Sequence, residues 1–166
     1  VTLPARALSL LTRSMFAVAC AALLVMLGAY LCEVLLRYAF NAPTRWSSDV
    51  VSYAMLLTIA FALPAVTRDS GHVAITSLID RLAPAPREVA RRALAVLSAL
   101  ACAGGAALLT LQARAQSVGG IETVAALAVP KWWLSAAVAL GLAVAALEFL
   151  RQAWRAAAAG AGAAAG

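Results

Sequence analysis

The sequence predicts an all-α integral membrane protein with four transmembrane helices. Three observations carry this: an apolar composition, four uncharged runs of spanning length, and basic residues gathered in the segments between them. Hydrophobic residues make up 64% of the chain and charged ones only 12%, with a mean hydropathy of +0.92. Soluble domains are about half apolar and about a quarter charged, so a water-soluble fold of this size has too little interior to hide such a surface. The net charge of +6 would suit a nucleic-acid binder, but the arginines lie in short blocks between apolar runs. There they record membrane topology, and no nucleic-acid partner is expected.

Lipid offers open backbone groups no partners, so a span must be helical, and crossing a core about 30 Å thick takes roughly 20 residues. The uncharged runs Ser14–Cys32, Val50–Thr67, Ala93–Ala113 and Trp132–Leu147 meet that need. With their flanks they predict spans over 14–36, 48–67, 91–113 and 131–150, in a single domain covering 1–155. The first span is expected to continue past Glu33, because Glu33 and Arg37 form an i,i+4 pair that supports a last turn among the headgroups. Ser47, Ser48 or Asp49 can cap the second, and Pro64 near its end predicts a tolerated kink. Pro130 suits the start of the fourth.

Between the second and third spans, Ile75, Leu78, Ile79 and Leu82 recur at helical spacing opposite Asp80 and Arg81. This pattern predicts a short amphipathic helix lying on the cytoplasmic face, ended by Pro84-Ala85-Pro86. The Ala/Gly-rich tail 156–166 has no face to bury and is expected to fray. Nine of the thirteen Lys and Arg fall in the two termini and the middle loop, against four in the first and third connections. Both termini are therefore expected in the cytoplasm. Tyr38, Phe40, Trp46, Trp132 and Trp133 gather at the opposite boundary as an aromatic belt, and Trp154 marks the inner one.

The chemistry expected of an enzyme or a self-sufficient carrier is missing from the spans. Glu33, Asp49, Glu122 and Glu148 fall at or beyond span ends, where interfacial anchoring and ion pairing are the expected roles, and no Asp, Glu, Lys, Arg or His lies centrally. An ion-coupled carrier holds its cargo with such groups near the midplane. His72 is the lone histidine, so the paired axial ligands of a transmembrane haem cannot be assembled. Cys20, Cys32 and Cys102 show neither redox-pair nor zinc spacing. No catalytic residue, metal site or cofactor is expected. Small residues do recur at packing spacing, with Ala137, Gly141 and Ala145 on one face of the fourth helix and Ala101 with Gly105 on the third.

Two loop segments carry a resemblance. Arg37-Tyr38-Ala39-Phe40-Asn41-Ala42-Pro43-Thr44-Arg45-Trp46-Ser47-Ser48-Asp49 resembles the Arg-Tyr-x-Phe-Asn…Trp-x-x-Glu/Asp stretch of the small membrane subunit of tripartite ATP-independent periplasmic (TRAP) transporters, the DctQ type. Asp49 stands where the family often has Glu, which keeps the charge. Arg68-Asp69-Ser70-Gly71-His72-Val73-Ala74-Ile75 is similar to that family's Arg-x-x-Gly-His-hydrophobic segment. The resemblance implies a non-catalytic small permease subunit in the bacterial inner membrane. It would pack beside a large multi-span permease subunit that works with a periplasmic substrate-binding protein in sodium-coupled uptake of organic anions.

Under this resemblance Arg37, Tyr38, Asn41, Trp46 and Asp49 form an outer-loop motif. They either fix a membrane-surface loop, with Arg37 pairing across it to Asp49, or help dock the binding protein. Arg68, Gly71 and His72 form a cytoplasmic structural motif, with Gly71 supplying a tight turn and His72 a hydrogen bond or cap. The alternative reading is a stand-alone four-helix carrier or efflux protein, which is expected to show a membrane-embedded carboxylate.

Overall fold

A computed structural model describes residues 3–42, 44–69, 84–120, 122–123 and 126–164. Four helices run through them: α1 (Leu3–Phe40), α2 (Ser47–Asp69), α3 (Pro84–Gly119) and α4 (Lys131–Ala164). All four are long and apolar enough to cross a membrane, so the chain is a multi-pass, all-α membrane protein. The amphipathic helix expected over 71–82, with Gly71 and His72, lies outside the described residues.

The helices outrun the expected spans. At 1.5 Å per residue, the 38 residues of α1 reach about 57 Å, well beyond a hydrocarbon core of about 30 Å. The 23 residues of α2 reach about 35 Å and little more than cross it. α4 continues through the Ala/Gly-rich segment to Ala164, where fraying was expected. Alanine's helix propensity is the highest of any residue, so a run of it prolongs a helix that already exists.

Local signals account for the ends. Asn41 closes α1 in the left-handed region at φ 52°, a conformation that asparagine adopts more readily than any residue with a bulkier side chain. The Ala42 N–H then turns back to the Leu36 carbonyl at 3.1 Å. Pro84 opens α3, where a missing N–H costs nothing, and Gly120 at φ 59° follows its end. None of the expected side-chain caps of α2 is formed among the described residues. The Ser47 hydroxyl instead donates across to the Ala29 carbonyl of α1 at 3.2 Å, and Asp49 is engaged by the last loop.

The spatial order is α1–α2–α4–α3. α4 packs against both α2 and α3, α2 against α1, and α1 meets α4 only slightly; among the described residues α3 meets neither α1 nor α2. The helices sort themselves by size of side chain. Nearly every buried apolar residue is alanine, including Ala19, Ala54, Ala60, Ala99, Ala106 and Ala145, while Leu24, Leu35, Leu97, Leu100 and Leu108 point outward. Lipid tails are as apolar as leucine, so helices in a bilayer gain by close backbone approach, and small residues collect where they touch. On α3 the buried face runs through Ala95, Ala99, Ala106 and Ala113. Gly105 is half-buried beside Leu142, while Ala101, expected to share its face, is exposed.

Candidate functional site

Charged groups gather at the two ends of the bundle; the middle has only hydroxyl contacts, Thr58 to the Ala54 carbonyl at 2.8 Å and the Ala19 carbonyl of α1 at 3.4 Å, and Thr110 to the Ala106 carbonyl at 2.7 Å, among the described residues. At the end opposite both termini, Glu33 on α1 binds Arg37 one turn later at 2.9 Å. It also accepts from the backbone N–H of Thr44 at 3.2 Å and from the Thr44 hydroxyl. One carboxylate thus folds the α1–α2 loop back on the helix it leaves. Arg37 is spent on Glu33, so the pairing of Arg37 with Asp49 expected across the loop does not form. Asp49 accepts instead from the Leu127 N–H at 3.1 Å, because the α3–α4 loop comes down on the start of α2.

That second loop is internally tied: Glu122 and Pro130 form an antiparallel bridge, and the Thr123 N–H donates to the Val129 carbonyl at 3.1 Å. The Tyr53 hydroxyl reaches it from α2, 2.9 Å from Thr123 Oγ1 and 3.1 Å from the Leu127 carbonyl. Around this closed polar layer the motif aromatics are left uncovered. Tyr38, Phe40 and Trp46 are all exposed, as are Arg37, Asn41 and Arg45. Trp132 and Trp133 stack edge-on with centroids 5.5 Å apart, as aromatic pairs prefer.

At the end that holds both termini, Glu148 is only 1% exposed and is not the interfacial anchor that its place beside a span end suggested. Its carboxylate accepts from the Thr12 hydroxyl of α1 at 2.8 Å and lies 3.5 Å from Arg151. A turn further on, the Gln152 side chain donates to the Thr67 carbonyl of α2. These bonds clamp α1, α2 and α4 together, although α1 and α4 meet only slightly. The bare sequence hides this cluster, because Thr12 and Glu148 are 136 residues apart and a carboxylate just past an apolar run reads equally well as solvated. Arg68 pairs with neighbouring Asp69 at 2.9 Å.

Between the two polar ends, the tightest contact joins backbone to backbone. A Cβ placed on Gly141 would come within 2.2 Å of the Ala60 carbonyl oxygen, so α4 reaches α2 here only because residue 141 is glycine. Pro64 sits four residues after Ala60, buried inside α2, and cannot give that carbonyl its helical hydrogen bond. The oxygen that lacks its i+4 donor faces the one residue with no side chain to obstruct it, where weak Cα–H···O contact is available. Ala145, fully buried one turn on, continues the face, and Ala137, one turn before Gly141, is half-buried. Among the described residues no three His, Cys, Asp or Glu side chains gather as metal ligands, and the three cysteines are free.

The bundle is thus braced by polar contacts at both ends and closely packed at Gly141 between them. Residues 26–159 match the family described as "Tripartite ATP-independent periplasmic transporters, DctQ component". A search among curated proteins finds no match. The family match takes in most of the chain, including both loop motifs and all four helices in whole or part, and the chain belongs to the DctQ family, the small component of TRAP transporters.

Proposed function

We propose that this chain is the non-catalytic small permease subunit that braces the large multi-span subunit of its transporter in the bacterial inner membrane, with both termini cytoplasmic. The large subunit carries organic anions inward with sodium ions, after a periplasmic binding protein has captured them. One observation carries the reading: in a member of a transporter family, no Asp, Glu, Lys, Arg or His lies within the four apolar runs, and the buried Glu148 stands just past the end of the fourth, held by Thr12 and Arg151. Cargo and coupling ions need such groups at the midplane, so they are held by a partner. The excess of Lys and Arg at the termini and middle loop supports the orientation.

Capture of a tagged chain from native membranes tests this, with the large permease subunit expected to come with it. Liposomes containing this chain alone should show no gradient-driven uptake, and robust uptake there would overturn the proposal.

The outer loop is the surface we assign to the binding protein. Arg45, with exposed Tyr38, Phe40 and Trp46, presents positive charge and aromatic area beside the exposed Arg37–Glu33 pair. Reversing the charge with Arg37→Glu should lower uptake while the membrane complex still assembles. Unchanged uptake with normal assembly would remove the loop from docking. Arg68, Gly71 and His72 are assigned a structural corner after α2, so His72→Ala should leave transport near its normal level.

A further inference from the structure

At the end that holds both termini, α1 and α2 part around an open-sided cavity of about 460 Å³. Its lining changes character along the helix axes. Phe16 and Ala17 of α1 face Ala65 and Val66 of α2 on the side toward the middle of the bundle, and one turn nearer the helix ends stand Arg13 and the Arg68–Asp69 pair. An apolar slot with a basic mouth at the edge of a hydrocarbon layer matches a phospholipid in both halves.

The charges at the mouth favour an anion. Two guanidinium groups face one carboxylate. Asp69 is two-thirds exposed and holds Arg68 at 2.9 and 3.3 Å, a surface pair of the kind that contributes little and exchanges readily. A guanidinium fork engages a phosphate through two parallel hydrogen bonds. Basic pockets between transmembrane helices take acidic lipid headgroups on these grounds. Inorganic phosphate would leave the apolar wall unused, and a zwitterionic lipid would bring a second positive charge to an already positive mouth.

We propose that this cavity binds an anionic phospholipid, its phosphodiester between Arg13 and Arg68 and an acyl chain along Phe16 and Val66. Thr12 lines the same cavity while its hydroxyl holds Glu148 of α4, so an occupied site steadies the clamp that joins α1 to the rest of the bundle. This proposal needs only the membrane fold and stands independently of the transport reading.

The test uses the full chain, stripped of lipid in detergent and titrated with phosphatidylglycerol or phosphatidylcholine of matched acyl chains, with retained lipid counted by native mass spectrometry. Phosphatidylglycerol should be retained preferentially. Arg13→Gln and Arg68→Gln should each weaken its retention about fivefold, the usual contribution of one basic residue near an acidic membrane surface. Asp69→Asn should strengthen retention, because it frees Arg68. That gain keeps the proposal testable even if an arginine variant folds poorly. The double variant Arg6→Gln with Arg155→Gln, on exposed residues that do not line the cavity, should change nothing. Equal loss in that double variant, equal retention of both lipids, displacement of phosphatidylglycerol by millimolar inorganic phosphate, or no gain from Asp69→Asn would each overturn the assignment.

Discussion

The α2–α4 seam and the outward flank of α3 are equally apolar in composition, yet they are built on opposite rules. The seam consists of Ala60, Gly141, Ala145 and a proline-freed carbonyl, backbone against backbone. The flank carries Leu97, Leu100, Leu108 and Leu111, all largely exposed. In water this distribution would be inverted, with the large side chains inside. In a bilayer, moving leucine from lipid to protein gains little, so what decides the interior is how closely two helices can approach. The flank is where lipid or a partner subunit is met, and the seam is where this chain holds itself together.

The largest expected effect comes from closing the seam. Gly141→Ala drives a methyl group into the Ala60 carbonyl, a backbone atom that cannot swing away. It should destabilise the bundle by about 3 kcal/mol, the upper end for overpacking. Gly104→Ala is the internal control, because nothing lies within 4 Å of the Cβ it would add. Thermal unfolding of both variants in the same detergent checks the pair. Similar melting temperatures for the two would mean that α2 and α4 are not in contact at this level.

Next in size is the clamp beside the seam. Glu148→Ala removes the acceptor of the Thr12 hydroxyl and the partner of Arg151. A hydrogen bond to a buried charged group contributes about 2 kcal/mol, and Arg151 can turn toward water, which limits the penalty. Glu148→Gln keeps the bond from Thr12 and should lose less. Hydrogen exchange near Thr12 should rise in the alanine variant with little change along α3, because α1 is what the clamp retains. A uniform rise over all four helices would show that the clamp serves global stability instead.

The same contrast explains what can be read from the sequence. Four spans are legible because hydrocarbon thickness imposes length and absence of charge on every one of them, and the loop motifs are legible because their polar residues are sparse. The order α1–α2–α4–α3 is not legible, since an alanine-rich helix has small residues on every side and hydropathy cannot choose a face. Ala101 illustrates this: it has the right spacing with Gly105 and still points outward. Glu148 follows an apolar run in the sequence, but its burial depends on Thr12 of a distant helix. The Asp49–Leu127 and Tyr53–Thr123 ties likewise depend on how one loop descends, which no local pattern encodes.

The smallest expected effect is the most diagnostic of packing by size, and it uses two neighbours on α3. Leu108 is 70% exposed and Ala106 is 8% exposed. Leu108→Ala deletes a large side chain that touches little of this protein, so the isolated chain should change by less than about 0.5 kcal/mol. Ala106→Leu adds a side chain against α4, the only helix that α3 meets among the described residues, and should cost roughly 1–3 kcal/mol. Losing a leucine is then harmless and gaining one is damaging, the reverse of a soluble core, where large-to-small changes carry the heavier penalty. If unfolding measurements instead rank Leu108→Ala as the worse variant, α3 is rotated on α4 and its leucines face inward.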